Sequence, residues 1–194
     1  MNIELSPRAS EIADQAKQLL VAGGYSGFSY ADVSQRVHIC KASIHHHFPS
    51  KAELVRTVVA RNRIEARDSR ANLDRQCPDP LSRLETYANH WSDLICGGTS
   101  VCICVMLAAE LPMIPEEVAV EVRGSFEDLA AWLATVLEDG EKAGQFRLRD
   151  NAQVDALVFL STVHGAMLTS RALNKPEVFG AITRAAIHQL TSTA

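Results

Sequence analysis

The sequence lacks the long apolar run that a membrane-spanning helix requires. Its longest strictly apolar stretch, residues 101–109, has nine residues, and a membrane helix needs about 20. The first seven residues have neither a basic start nor a long apolar stretch, so no signal peptide is predicted. We therefore expect neither an integral membrane protein nor a secreted one.

Short motifs typical of catalysis and metal binding are also missing. The sequence has no CxxC pair, no Gly-rich phosphate loop, no HExxH and no GxSxG. His45-His46-His47 is not a metal site, because consecutive helical residues point about 100° apart. We predict no catalytic site, no metal and no cofactor. The five cysteines are an odd number without a secretion signal, which favours reduced thiols in a cytoplasm.

Negative charge is scarcer in the first part of the chain than in the second. The net charge is −4, but residues 1–75 hold eleven Lys or Arg against eight Asp or Glu, a balance of +3. Residues 76–194 hold eight against fifteen, a balance of −7. The acidic total therefore does not exclude nucleic-acid binding by the front of the chain.

Strand signals are missing, and apolar residues recur at spacings of three and four, which predicts an all-α fold. Four helices are expected before the Cys77-Pro78-Asp79-Pro80 boundary and about five after it. The predicted helices are one through Ile12–Leu20 that stops at Gly23-Gly24, then 30–37, 41–47, 51 to the low seventies, 81–95, 102–111, 115–142, 151–172 and 176–191.

Residues 29–47 have the pattern of a helix-turn-helix. Ser29 and Asp32 form a predicted capping box at the start of the helix 30–37. A tight turn at residues 38–40 leads into the helix 41–47, and the apolar residues Val33, Val37, Ile39, Ile44 and Phe48 are expected to share a small core. The outer face of the second helix is then able to enter a major groove of DNA. The arginines of the long helix that follows, Arg61, Arg63, Arg67 and Arg70, are predicted to form a solvated face.

Residues 8–60 resemble the N-terminal domain of TetR-family transcriptional repressors. The resemblance is carried by the segment 24–34, GYSGFSYADVS, and by the segment 41–54, KASIHHHFPSKAEL. It implies an N-terminal three-helix DNA-binding domain, joined by a long fourth helix to a helical domain that binds an effector and dimerises. The residues predicted to contact DNA are Ser29, Tyr30, Lys41, Ala42, Ser43, His45, His46 and Lys51.

Three positions depart from the family pattern. His38 stands where the turn usually has Gly, and His accepts a left-handed conformation less easily than Gly does. Cys40 replaces the usual Ser or Thr at the cap of the recognition helix and is a weaker acceptor. His45 replaces the usual Tyr, a residue that contacts the DNA backbone.

The predicted domains are residues 1–56, which bind DNA, and residues 57–194, which bind an effector and dimerise. The segment 151–172 is apolar on too broad a face for a small domain to bury alone, so a symmetric partner is expected to pair through helices 151–172 and 176–191. Residues 102–111, CICVMLAAEL, resemble a segment of the NemR-like branch of the family, in which such a cysteine responds to electrophiles or oxidants. The residues predicted to line the effector pocket are Tyr87, His90, Trp91, Cys102, Met106, Phe126 and His164.

Together these features predict a cytoplasmic homodimeric repressor, not an enzyme, that leaves a palindromic operator when a small-molecule or thiol-reactive effector binds. Non-covalent binding is the favoured mode of response, with reaction at Cys102 as the other. Two alternatives stay open at this point: a helical thiol-dependent enzyme that uses Cys102 and His164, and an adaptor that has lost DNA binding.

Overall fold

The computed structural model of the chain describes residues 3–98 and 101–191. Within them the chain forms nine α-helices and one short 3-10 helix, and no strand. The helices are α1 (Pro7–Gly23), α2 (Tyr30–Val37), α3 (Lys41–His47), α4 (Lys51–Gln76), α5 (Pro80–Cys96), α6 (Ile103–Ala108), the 3-10 helix η1 (Leu111–Met113), α7 (Glu116–Lys142), α8 (Ala152–Leu173) and α9 (Glu177–Thr191). The predicted all-α fold is confirmed.

Side chains that cap the first turn explain where several helices begin. Ser6 accepts a hydrogen bond from the backbone N–H of Ala9 at the start of α1, and Asp79 accepts one from Ser82 at the start of α5. Asn151 does the same for α8 through the N–H of Val154. Both α1 and α5 also have Pro in the first turn, where its missing N–H costs nothing.

The sixth helix is shorter than predicted. The sequence pattern predicts a helix over 102–111, but α6 ends at Ala108, and a turn at Ala109 and Glu110 leads into η1. Pro112 contributes to this, because it has no N–H to donate to the carbonyl of Ala108 and so cannot continue the α-helix.

The chain divides into two compact units. The first contains residues 3–66 together with Ile103–Phe126, and the second contains Arg67–Cys102 and the described residues from Glu127 onwards. The first unit therefore includes the predicted DNA-binding domain, residues 1–56, and further helices that the sequence assigns to the effector domain. The predicted boundary at residue 56 itself stays a prediction.

The core of the first unit lies where α1 packs against α2 and α6. Ile12 and Leu20 of α1, Val33 of α2 and Ile44 of α3 have no exposed surface, and neither does Leu107 of α6. Of the five apolar residues expected to form the core of the helix-turn-helix, Val33, Val37, Ile44 and Phe48 are buried, whereas Ile39 is only half-buried.

In the second unit, α9 packs against both α8 and α5. At the corner before α5, the guanidinium of Arg83 donates to the carbonyls of Cys77 and Pro78, each at 2.8 Å, and to the carboxylate of Asp139 at 3.1 Å. The Arg83 side chain is only 12% exposed. Its planar fork of donors thus fixes the sharp turn between α4 and α5.

Candidate DNA-binding interface and effector region

The start of α2 has the predicted capping box. The Ser29 hydroxyl accepts from the N–H of Ala31 at 3.2 Å, and the Asp32 carboxylate accepts from the N–H of Ser29 at 2.7 Å. The Ser29 hydroxyl also donates to the Asp32 carboxylate at 2.7 Å, and the hydrogen bonds from the hydroxyl and the N–H of Ser29 lower the pKa of Asp32. Ser29 itself is exposed, so its hydroxyl lies at the surface of the helix-turn-helix.

The turn between α2 and α3 is tight despite the missing glycine. His38 adopts a left-handed conformation with φ 55° and ψ 42°. The N–H of Ile39 then donates to the carbonyl of Ser34 at 3.2 Å, and the Ser34 hydroxyl donates to the carbonyl of Ile39 at 2.5 Å. Two hydrogen bonds around the turn thus accompany a His in a region that Gly occupies more readily.

Helix α3 has one buried side and one exposed side. Ile44 is fully buried, whereas Lys41, Ala42, His45 and His46 are exposed and Ser43 is half-buried. As expected from the weak acceptor at its start, α3 has no side-chain cap from Cys40. The Cys40 thiol instead lies 3.2 Å from the Ser43 hydroxyl, and hydrogen bonds to Ser43 lower the pKa of that thiol.

Tyr30 is one of the predicted DNA contacts, but the structure shows its hydroxyl inside the domain. Tyr30 is only 8% exposed, and its hydroxyl donates to the carbonyl of Phe48 at 2.8 Å. Burial raises the pKa of Tyr30 to about 12. Its ring packs against that of His45, with centroids 4.7 Å apart, and Nδ1 of His45 lies 3.2 Å from the carbonyl of Pro49. Tyr30 and His45 together connect α2 to the end of α3.

Lys51, another predicted DNA contact, is half-buried at the start of α4. Its ammonium donates to the carbonyl of Tyr25 at 2.6 Å and to that of Phe28. It also lies 4.6 Å and 4.3 Å from the centroids of the Tyr25 and Phe28 rings. Burial lowers the pKa of Lys51, and the carboxylates of Glu110 and Asp32 partly offset this effect. The phosphate contact predicted for Lys51 stays a prediction.

The arginines of α4 do not form the solvated face that the sequence predicts. Arg61 lies 3.5 Å from Asp14, and Arg63 lies 3.5 Å from Glu121. Arg70 is half-buried, and burial lowers its pKa. Of the four arginines in that prediction, Arg67 alone is exposed. The sequence gives no sign of these partners because they lie on other helices.

In the second unit, Tyr87 lies near two other predicted effector residues, Trp91 and Cys102. Tyr87 is buried, and burial is the main reason for its raised pKa, with a smaller contribution from Cys102. Trp91 lies close enough to Tyr87 to offset part of this rise. Trp91 and Cys102 are half-buried, whereas His90 is exposed beside Trp91, with ring centroids 6.0 Å apart. Cys102, Trp91 and Tyr87 thus share one neighbourhood.

Other predicted effector residues lie in different surroundings. His164 is 9% exposed, and burial lowers its pKa to about 4, so its imidazole is neutral near pH 7. Met106 of α6 and Phe126 of α7 are half-buried and belong to the first unit.

Sequence reasoning missed Trp132 and Arg70 as neighbours of Tyr87. The Trp132 ring lies 5.5 Å from that of Tyr87, and its indole N–H donates to the Asp74 carboxylate at 2.9 Å. Arg70 lies close enough to Tyr87 to lower the pKa of the phenol slightly. The apolar positions Leu129, Leu133, Val136 and Leu137 mark the buried side of α7, and Trp132 borders it. That spacing of apolar residues is the sequence signal that could have placed Trp132 near the core.

Helix α8 has a wide apolar face that the second unit leaves exposed. Val154, Leu157, Val158, Leu168 and Leu173 are between 40% and 58% exposed. The opposite side of α8, with Ala156, Leu160, Val163 and Ala166, is buried. By length and composition alone α8 is also apolar enough to cross a membrane. One such helix is weak evidence of a membrane span, because core helices have the same composition.

The sequence was compared with known protein families. Residues 12–58 match the bacterial regulatory proteins of the tetR family, and residues 80–186 match the tetracyclin repressor-like C-terminal domain. The two matches follow each other in the order expected for one regulator. The chain belongs to the TetR family.

Solved structures agree with this membership. A TetR-family transcriptional regulator from Agrobacterium tumefaciens is 45% identical, with a TM-score of 0.93 over 95% of this chain and 98% of that chain. Reduced NemR from E. coli shares the fold at 18% identity, with a TM-score of 0.86 over 97% of this chain and 100% of that one. FadR from Bacillus subtilis in complex with stearoyl-CoA shares it at 13% identity, with a TM-score of 0.74 over 94% and 97%. No curated protein matches the sequence.

TetR-family regulators bind DNA operators, act as dimers and respond to small-molecule effectors. The predicted class of a helix-turn-helix transcription regulator is therefore confirmed. Family members are regulators and not enzymes, which removes the alternative of a thiol-dependent enzyme. They are soluble DNA-binding proteins.

Proposed function

We propose that this TetR-family protein is a cytoplasmic homodimeric repressor that reads a palindromic operator with α3 and is released by an effector bound in its second unit. The observation that carries the proposal is the division of α3 into a buried side at Ile44 and an exposed side with Lys41, Ala42, His45 and His46. A helix held by one side is free to place the other in a major groove.

Three residues of α3 have a proposed role. Lys41 and Ser43 lie in its first turn, from which recognition helices contact base edges. His46 is proposed to contact phosphate oxygens, which set the register of the protein on DNA without reading sequence. Ser29 is exposed at the cap of α2 and is available for a further backbone contact.

A dimer would place two such helices in successive major grooves, about 34 Å apart. We propose that α8 and α9 form its interface. The exposed apolar residues of α8 repeat at helical spacing, and a shallow depression among Val154, Leu157, Val158, Ser161 and Thr162 is available to receive side chains of a partner. A second copy of α8 and α9 would bury this face, which is larger than the scattered apolar exposure of a monomer.

The effector is proposed to bind near Tyr87, Trp91 and Cys102. An indole, a phenol and a thiol offer apolar surface with a few polar groups, which suits a small organic molecule. Release follows only if the effector binds the DNA-free conformation more tightly, because equal affinity for both conformations shifts nothing. His90, Met106, Phe126 and His164 stay predicted pocket residues.

The test begins with selection of binding sites. Wild-type protein is used to select double-stranded sequences from a random library, and affinity for the selected sites is measured at several salt concentrations. We expect palindromic sites. Lys41→Ala removes two exposed charges per dimer, so binding is expected to weaken, and the salt dependence is expected to fall by about 2 in slope if both charges neutralise phosphates.

Lys175→Ala is the matched control. Lys175 is exposed in the turn between α8 and α9, so its replacement changes the net charge equally without touching α3. If both variants weaken binding equally, the effect comes from net charge, and the role of α3 is refuted. If the wild-type protein enriches no sequence, the repressor proposal itself fails.

A further inference from the structure

The loop between α1 and α2 is held by a carboxylate from far along the chain. The backbone N–H of Tyr25 donates to Oε2 of Glu110 at 2.5 Å, and the N–H of Ser26 donates to Oε1 at 3.4 Å. These contacts lie wholly within the first unit. Hydrogen bonds to an ionised acceptor are roughly twice as strong as those between neutral groups.

The same loop is held from its other side by a positive charge. The Lys51 ammonium donates to the carbonyls of Tyr25 and Phe28. Tyr25 therefore gives its N–H to Glu110 and its carbonyl to Lys51. The Glu110 carboxylate lies near enough to the Lys51 ammonium to offset part of the effect of burial, which lowers the pKa of Lys51. We name the arrangement of Glu110, Lys51 and residues 25–28 the loop clamp.

Gly24 provides the space for the carboxylate. A Cβ built on Gly24 would lie 2.8–2.9 Å from the carboxylate atoms of Glu110, closer than real Cβ atoms approach. Gly24 also has a φ of +72°, which other residues rarely adopt. Any side chain at this position would displace Glu110 from Tyr25.

Glu110 itself lies where α6 passes into η1. Its N–H donates to the carbonyl of Leu107 at 3.0 Å, and its own carbonyl accepts from the N–H groups of Met113 at 2.8 Å and Ile114 at 3.1 Å. The backbone of Glu110 thus belongs to the α6–η1 segment, while its side chain is bonded to the loop before α2. A displacement of the end of α6 would pull on Tyr25 and Ser26 directly.

We propose that Glu110 is a positioning residue for operator binding: through the loop clamp, the α6–η1 segment fixes α2 and Lys51 in the arrangement that binds DNA, and a shift of α6 releases it. The inference deepens the proposed function and rests on it. Helix α6 begins directly after Cys102, at the point where the chain enters the first unit. Glu110 thus lies eight positions along the chain from the predicted effector residue Cys102.

The first experiment removes the clamp without any effector. Glu110→Ala is expected to lower affinity for the selected operator by about tenfold or more, because the loop loses a charge-assisted acceptor and Lys51 loses a charged neighbour. Hydrogen exchange of the Tyr25 and Ser26 amides is expected to accelerate by a similar factor. A role in folding alone would lower the melting temperature without a selective effect on these two amides.

Glu117→Ala is the matched control. Glu117 is exposed in the first turn of α7 and lies near enough to Tyr25 to raise the pKa of its phenol, but it makes no hydrogen bond to the loop within the described part of the chain. Its replacement removes the same charge from the same neighbourhood. Operator affinity and the exchange of Tyr25 are expected to stay within about twofold of the wild type.

A second pair of variants keeps the test independent of the charge. Gly24→Ala would displace the Glu110 carboxylate and is expected to weaken operator binding as Glu110→Ala does. Gly144→Ala shares the positive φ, at +70°, but its Cβ would meet nothing within 4 Å. Operator affinity of the Gly144 variant is expected to equal that of the wild type.

Three results decide the matter. Glu110→Ala with wild-type operator affinity overturns the inference and leaves the proposed function standing. Faster exchange of Tyr25 and Ser26 without loss of operator affinity also overturns it, because the clamp would then be structural only. A wild-type protein that binds no selected DNA overturns the proposed function and the inference together.

Discussion

Replacement of Tyr30 by Phe separates the two roles that Tyr30 could have. The sequence predicts a contact with DNA, but the structure shows a buried hydroxyl that donates to the carbonyl of Phe48 at 2.8 Å. The variant keeps the ring, which packs on His45, and removes only this hydrogen bond. The position is therefore suited to a conservative test.

The expected loss follows from the hydrogen bond itself. A buried hydrogen bond contributes about 1 kcal/mol net, and an acceptor left without its donor raises the cost towards about 3 kcal/mol. In a chain of this size each kcal/mol shifts the melting temperature by about 2–4 °C, so Tyr30→Phe is expected to melt about 2–12 °C lower. Protein concentration must be held constant, because the stability of a dimer depends on it.

DNA binding provides the second measurement. If the Tyr30 hydroxyl acts inside the domain, the variant binds operator with an unchanged salt slope. If the Tyr30 hydroxyl instead contacts DNA directly, operator affinity would fall without a fall in melting temperature. That second pattern, a wild-type melting temperature with weaker operator binding, would refute the structural role.

Tyr25→Phe is the control for this experiment. The hydroxyl of Tyr25 makes no hydrogen bond among residues 3–98 and 101–191, so its removal is expected to leave the melting temperature within about 1 °C of the wild type. Alkaline pH offers a further check. Because burial raises the pKa of Tyr30 to about 12, its contribution to stability is fully present below about pH 10 and is lost as the pH rises towards 12. Tyr30→Phe is expected to lose less stability over that range.

Three further predictions follow from the second unit. Leu157→Asp, on the exposed face of α8, is expected to yield monomers in sedimentation. Met113→Asp, at a 79% exposed residue of the first unit, is the control and is expected to stay dimeric. If both variants are dimeric, the proposed interface is contradicted. Cys102→Ser is expected to abolish release from operator by an electrophile such as N-ethylmaleimide while operator binding persists, and normal release would exclude thiol sensing at this position. Burial lowers the pKa of His164 to about 4, so on acidification His164 is protonated in the unfolded chain before it is protonated in the folded one. The contribution of the neutral His164 to stability is therefore fully present above about pH 6.5 and is lost as the pH drops towards 4. His164→Gln is expected to flatten the dependence of the urea midpoint on pH over that interval, and an equal slope in both proteins would contradict this cause.

The local features of the fold were predictable from the sequence because they depend on residues close together in the chain. The capping box of Ser29 and Asp32, the bounds of α2 and α3 and the burial of Ile44 all follow from neighbours within four residues. The pattern ends the sixth helix at Leu111, directly before Pro112, whereas α6 ends three residues earlier at Ala108. The turn there is closed by the hydrogen bond from the N–H of Glu110 to the carbonyl of Leu107.

Contacts between distant segments were out of reach for the same physical reason. Glu110 stands in an apolar stretch, LAAEL, where a single carboxylate would ordinarily be taken for the solvated side of a helix. Its partners are backbone N–H groups of Tyr25 and Ser26, and a backbone N–H leaves no trace in a sequence. The one local clue is Gly24. A glycine directly after α1 is explained equally well by the end of that helix. The connection proposed between the effector region and the helix-turn-helix thus lies in the part of the structure that sequence patterns describe least.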